Sequence, residues 1–576
     1  MAAGLALGDP ANDYYTSGAK KREQGDLNGA LVDITKAIEL RPDVPESFVV
    51  RAIIKSDKKD LDGAMNDYTQ AIKLKHDYAD AYMGRGGIKY TKLDYSGAEA
   101  DYSSAISFKP YDPEAYYGRG VARHAKLDWD GALDDYNQAI KYKPDYAEVF
   151  VNRGNVREFK KDLDGALADY NKAIEIKPNV AEAYYSRARF KQSKGDLNEA
   201  LMDYNKANEL KPAYAEAYMG RGILKQTNGD LAGALADLNK AIEINPNLYE
   251  AYHYRALAKK AKQDLAGALA DLNKLIELRP DIAEAYGNRA QVKQAKGEFD
   301  SALADCNKAI ELKPALAGVY CLRGAVYHKK GDLDLAMADY TKAIKLEPDF
   351  AIAYCDRGIV EELKNDLNEA RSDFDKAIEI NPRFVEAYLG RGGVRQALGD
   401  PDSALADYDK ALKLNGKSAW AYFGIGCLGY DKHEFGGALV NFRRAAELDG
   451  TNAYFQSRIW LVRARSGEME QATKDLRTFL ENRKTTKPDE WESNIALFLV
   501  GQINQADFFK SAMNPDKKTE AGQLCEAYFY VGAKRLIEGD KTAAAEYFQK
   551  CLATDRKPYL GYQSAEAELK FLKEKK

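Results

Sequence analysis

Reactive side chains are spread thinly along this 576-residue chain. The five histidines, His76, His124, His253, His328 and His433, lie far apart in sequence. No HExxH, CxxC, GxSxG or phosphate-loop spacing occurs, so no zinc site, redox dithiol, nucleophile elbow or nucleotide cradle is expected. The chain is therefore read as a non-enzyme without metal or cofactor. Its formal charge of −4 and pI near 6.0 argue against nucleic acid as a partner, which calls for a basic excess. No stretch approaches the roughly 18 apolar residues of a membrane span. What does recur is charge. Arginine stands at eleven equally spaced places from Arg51 to Arg391, and aspartate at twelve from Asp33 to Asp407. Such columns either pair with one another, within a repeat or from one repeat to the next, or form a basic track for phosphates. Pairing is the expectation, with Arg187–Asp203 and Arg221–Asp237 as examples.

The spacing behind these columns is 34 residues, shown also by prolines from Pro110 to Pro382. A fixed period of this length means a stack of similar units whose hydrophobic faces bury one another. Thirteen units fill 11–452, with Gly or Ala at position 8 (Gly18, Ala52, Gly86 and onward). Each reads as helix, Gly-Asp turn, helix and proline. Gly ends the first helix, Asp caps the second, and proline separates the units. The alanine at position 20, present in every unit, is expected to face the small residue at position 8. Position 4 is aromatic throughout, from Tyr14 to Tyr422, and position 24 is Tyr or Phe in nine units. These rings are read as core, which accounts for many of the 38 tyrosines. The basic residues at position 11, such as Lys55 and Lys225, are read as a solvated edge.

With aromatic residues at 4 and 24, small residues at 8, 20 and 27 and proline at 32, the unit resembles the tetratricopeptide repeat. The departure is position 11, usually aromatic in that family. The resemblance implies an all-α, right-handed superhelical solenoid with the first helices lining a concave groove. Positions 2, 5, 9, 12 and 13 then face a protein or peptide ligand. Here position 2 is Glu in eight units and position 5 is partly apolar. The candidate groove residues are Tyr117, Glu148, Glu182, Tyr185, Glu216, Met219, Glu250 and His253. The glutamates also suit helix N-termini by charge–dipole attraction.

The remaining chain is read as a disordered stub at 1–10, a degenerate repeat at 453–486, inserted short helices at 487–524, a terminal repeat at 525–558 and a C-terminal capping helix at 559–576. The stub carries no lipobox cysteine; it reads either as a cytosolic start or as the tail of a signal peptide that begins upstream. Cys525 and Cys551 occupy positions 1 and 27 of the terminal repeat. Positions 8 and 20 share the same sum, so antiparallel helices place the two thiols opposite each other. They are either a disulfide, implying an oxidising compartment, or two free thiols. Trp460-Leu461, Asp489-Glu490-Trp491 and Glu526-Ala527-Tyr528-Phe529-Tyr530 resemble the C-terminal half of NlpI-type tetratricopeptide lipoproteins. That resemblance implies a bacterial envelope adaptor, periplasmic or extracellular, that docks cell-wall hydrolases and proteases. The alternatives are a cytoplasmic assembly adaptor and the substrate-binding repeat half of an enzyme complex.

Overall fold

The computed structural model describes residues 9–482 and 491–574, all of whose regular elements are helices. Most of the expected N-terminal stub lies outside these residues. Within them the first helix already starts at Pro10, with the Asp9 carboxylate capping Ala11. Thirteen helix pairs follow in register with the 34-residue period, for example Pro113–Ala125 with Trp129–Tyr142. The chain divides into two compact bodies, Met1–Leu278 and Arg279–Lys576. Neighbouring first helices pack on one another within each body, whereas neighbouring second helices make no comparable contact. The first helices therefore line the inside of the curve.

The turn chemistry is local and repeated. Asp26, Asp60, Asp94, Asp128, Asp162 and Asp230 each accept a hydrogen bond from the backbone N–H three residues on, at 2.8–3.1 Å. Each bond satisfies one of the N–H groups that a helix start leaves unpaired. Position 15, just before the cap, has positive φ in all thirteen repeats. Glycine supplies it in six, while Leu93 and Leu127 adopt it at φ 64° although they are 72% and 67% exposed. An L-residue there is disfavoured by about 1–2 kcal/mol, which glycine or asparagine avoids. Leu127→Asn, the residue type that Asn365 supplies at the same position, is expected to raise stability by about 0.5–1 kcal/mol. The urea unfolding midpoint checks this, and an unchanged or lower midpoint contradicts it.

The small residue at position 8 meets chiefly the ring at position 24 rather than the alanine at 20. A Cβ on Gly120 would lie 2.7 Å from Tyr136, and one on Gly154 2.7 Å from Tyr170. The alanine contributes its carbonyl nearby, as Ala30 does beside Gly18. Glycine at position 6 takes the preceding repeat's ring in the same way, Gly118 against Tyr102. The rings therefore lock helices within and between repeats, because a missing Cβ on each side leaves room for a flat ring. Position 4 is buried in many repeats, as at Phe48, Tyr82 and Tyr388. Tyr14, in the first repeat, is 39% exposed.

The second body ends differently. After Ala453–Arg465 and Met469–Asn482 come the short helices Trp491–Leu499 and Gln505–Ser511. The next helix, Lys517–Ile537, runs straight through the expected boundary at 524/525, and pairs with Lys541–Ala553. Residues 487–490 of the expected insertion lie outside the described residues. Glycine-and-ring packing continues at Gly532 against Phe548, and large aromatic groups are added to it: Trp491, Phe508 and Phe498 stack in turn at 5.3 and 4.5 Å. The C-terminal helix, Leu560–Glu574, packs on the last helix pair but also lies against Ala419–Asp431 and Val385–Ala397. It is thus more than a cap.

Candidate functional site

The charged columns resolve into a ladder inside the array. Arg221 holds Asp237 with two bonds, Nε–Oδ2 2.8 Å and Nη2–Oδ1 2.6 Å, and Arg187 holds Asp203 at 2.8 and 2.7 Å. The same pairing within a repeat recurs for all eleven arginines, from Arg51–Asp67 to Arg391–Asp407. Each guanidinium lies over its own position 4 ring, Arg221 over Tyr218 at 5.3 Å, and nine of them also cross to the preceding repeat, as Arg221 does to Asn205 Oδ1 at 2.7 Å. Asp33, which lacks an arginine, is not left alone: Ser17 Oγ donates at 2.6 Å and Lys21 Nζ lies at 2.7 Å.

Position 11 is not a solvated edge. Lys55, Lys191, Lys225 and Lys293 each reach the same buried aspartate at 2.7–2.9 Å, with side chains only 16–25% exposed. Positions 7 and 11 are one helical turn apart and share a face, so one carboxylate sits between two cations. A buried charge needs such partners. The columns are therefore occupied internally and leave no free basic track.

The candidate groove residues lie on the first helices. Tyr117 and Tyr146 of repeat 4 form a tilted ring pair at 5.2 Å, and Tyr185 and Tyr214 of repeat 6 form the same pair at 5.1 Å. All four are half-buried. Between them repeat 5 offers Val151 and Val180, which share one apolar cluster, and repeat 7 places Met219 and Leu248 together in the next. Asn152 Nδ2 donates to the Tyr117 hydroxyl at 2.9 Å, and Arg189 lies over the Tyr185 ring at 5.9 Å. His253 meets Tyr254 edge-on at 5.1 Å. Positions 5 and 34 thus lie side by side in repeats 4 to 7. Tyr146 and Tyr214 escaped the sequence reading, although tyrosine at 78, 146 and 214 marks every second repeat.

A row of carboxylates borders this surface. Glu148 accepts from Lys177 Nζ at 2.8 Å and Glu182 from Lys211 Nζ at 2.7 Å, which answers part of the charge. Burial pushes the Glu148 carboxyl up, but the Lys177 ammonium, a backbone N–H and Lys143 together leave the group below its ordinary value. The rest of the row acts on the rings. Burial raises the Tyr185 hydroxyl above its ordinary value, with the Arg189 guanidinium opposing it and the more distant Glu216 and Glu250 adding to it. For Tyr146 burial and then Tyr117, Glu114 and Glu148 act in the same direction. The surface is aromatic and aliphatic, bordered by glutamates and, at Tyr185, by the Arg189 guanidinium.

In the last helix pair Cys525 and Cys551 face each other, both fully buried, with sulfurs 3.4 Å apart and both thiols free. Among the described residues no group of three or more His, Cys, Asp or Glu is placed to hold a metal, and no helix is long and apolar enough to cross a membrane.

Family models described as tetratricopeptide repeat match residues 215–248, 317–350, 351–384 and 385–418. A related model described as TPR repeat matches 128–158, 160–193, 192–229 and 291–331. These segments of the chain are tetratricopeptide repeats. Solved structures similar to the protein include the APC/C hetero-tetramer Cut9-Hcn1, with 13% identity and TM-score 0.43, covering 81% of this chain and 96% of that one. Yeast Tom70 shows 19% identity and TM-score 0.35, covering 72% and 98% respectively. YrrB, described as a TPR protein with an unusual peptide-binding site, shows 26% identity and TM-score 0.26, covering 32% and 96%. A comparison with curated proteins found no match.

Proposed function

We propose that this protein is a non-enzymatic adaptor that binds a protein segment along the first helices of repeats 4–8. The observation that carries this is the repeated surface: two equivalent tyrosine pairs, 68 residues apart, with Val151 and Val180 between them and a row of glutamates alongside. Ring pairs and the valines between them take apolar side chains, and the bordering glutamates favour Lys or Arg beside them. The ligand is therefore an extended or helical segment of mixed apolar and basic character. A random-peptide library panned against the full chain tests this. Basic, apolar-containing peptides are expected to be enriched, and Tyr117→Ala/Tyr185→Ala is expected to weaken them by about 2–4 kcal/mol in titration calorimetry. Enrichment of acidic peptides, or equal binding to the variant, contradicts the reading.

The compartment we favour is an oxidising one, the bacterial envelope, where cell-wall hydrolases or proteases would be the partners by likeness to NlpI-type lipoproteins. The facing thiols support it, since a small shift in two side chains would bring their sulfurs to bonding distance. Oxidised glutathione added to the chain is expected to give an intramolecular Cys525–Cys551 disulfide, the two thiol hydrogens passing to glutathione. Intact mass and peptide mapping read this out. Two thiols still free after oxidation of the unfolded-and-refolded chain would favour a cytosolic adaptor instead.

A further inference from the structure

The C-terminal helix lies where a ligand would. Its side chains Ser564, Glu568 and Phe571 fall at i, i+4 and i+7, one face of a helix. That face is seated on the first helices of repeats 12 to 14. Glu568, fully buried, accepts from the Tyr430 hydroxyl at 2.7 Å and Arg465 Nη2 at 3.1 Å, with His433 Nε2 at 3.3 Å. Ser564, also fully buried, donates to Asp431 at 2.7 Å and accepts from Arg458 Nη1 at 3.1 Å. Phe571 stacks on His433 at 4.2 Å. Tyr430 and Asp431 are positions 12 and 13 of repeat 13, the groove positions of the array.

The seat is specific but incompletely filled. Arg458 is fully buried between the rings of Phe529, Tyr430 and Tyr530, yet its Nε and Nη2 make no hydrogen bond. Oε1 of Gln563, on the helix itself, is likewise buried without a partner. A cleft of about 530 Å³ stays open between the second half of the helix and repeats 12 and 13, lined by Gln396, Leu428, His433, Ala567 and Phe571 among others. Buried polar groups left unmade weaken a contact, so a better-matched helix has room to win.

We propose that this face is a second binding site, a helix groove with a carboxylate pocket, closed in cis by Leu560–Glu574. The partner it fits is an amphipathic helix of another protein that carries a serine, a glutamate four residues on and an aromatic residue three beyond that. The buried pocket of Tyr430, Arg465 and His433 takes the glutamate, and the open cleft takes side chains larger than those of the resident helix. This site lies in the second body and stands apart from the reading of repeats 4–8.

The test uses the full chain and a fluorescent peptide spanning 558–574. In Glu568→Lys/Phe571→Asp the chain's own helix is expelled from its seat. That variant is expected to bind the peptide at least about tenfold tighter than the wild-type chain does, while a peptide carrying Glu568→Lys binds neither. A variant that keeps its helical circular dichroism but does not bind the peptide overturns the proposal. Should the variant fail to fold, the wild-type chain decides. Excess peptide is expected to speed hydrogen exchange in the chain's own 560–574, and unchanged exchange at saturating peptide overturns the proposal.

Discussion

Asp237→Ala is expected to cost about 3 kcal/mol of stability, far more than a surface charge change. Asp237 is only 4% exposed and sits between Arg221 and Lys225 at 2.6 and 2.8 Å. Removing it leaves two half-buried cations facing each other without their shared counter-ion. The loss should spread to the neighbouring repeat, because Arg221 also holds Asn205 across the boundary. Repeats contact only their neighbours, so hydrogen exchange should rise first in 181–248 and later elsewhere. Glu243→Ala is the control: it removes an exposed pair with Lys240 and should change stability by less than about 0.5 kcal/mol. Urea unfolding followed by exchange separates the two. A loss below about 1 kcal/mol for Asp237→Ala would mean that the ladder is decoration rather than framework.

Glu361→Lys is expected to stabilise the second body by about 1–2 kcal/mol at pH 8. Ten repeats place Lys or Arg at position 11 beside the buried aspartate, and repeat 11 places Glu361 there instead. Glu361 is 8% exposed, its Oε2 has no hydrogen bond, and Arg357 stands 4.0 Å from its Oε1. Burial first, and then the charge of Asp373, push its carboxyl up to about 7, with Arg357 opposing. The folded state thus holds this proton more tightly than the unfolded chain, whose carboxyl titrates near 4.5. Stability is fully present below about pH 4.5 and is lost as the pH rises to about 7. Wild-type and Glu361→Gln should therefore diverge between pH 5 and pH 8, the wild-type losing more. Equal pH dependence of the two, or a Glu361→Lys chain weaker at pH 8, contradicts this.

Much of this was legible in the chain. The period located every helix pair of the array, the Gly-Asp turn its caps, and the sum rule for facing positions brought Cys525 opposite Cys551. Position 11 was misjudged because it was balanced against the acids of the whole repeat rather than against its own helix face. Four residues from the arginine, it had to look at the same aspartate. The tyrosines at position 34 were hidden by their place in a loop before the next helix. Tyr146 and Tyr214 join the candidate surface because each leans on the ring at position 5 of its own repeat. The return of Leu560–Glu574 onto repeats 12 and 13 could not be read locally. Its amphipathic face announces that it needs a partner surface, but more than a hundred residues separate Glu568 from Tyr430, and no local pattern names that surface.

The central claim is that the inner face of repeats 4–8 is the binding surface. A photo-crosslinking residue placed at Tyr185, and separately at Met202, which is 69% exposed on a second helix, tests it most directly with the enriched basic peptide as ligand. Crosslinking from 185, lost in the presence of excess unlabelled peptide and absent from 202, is the expected result. Crosslinking from 202 and not from 185 would contradict the account.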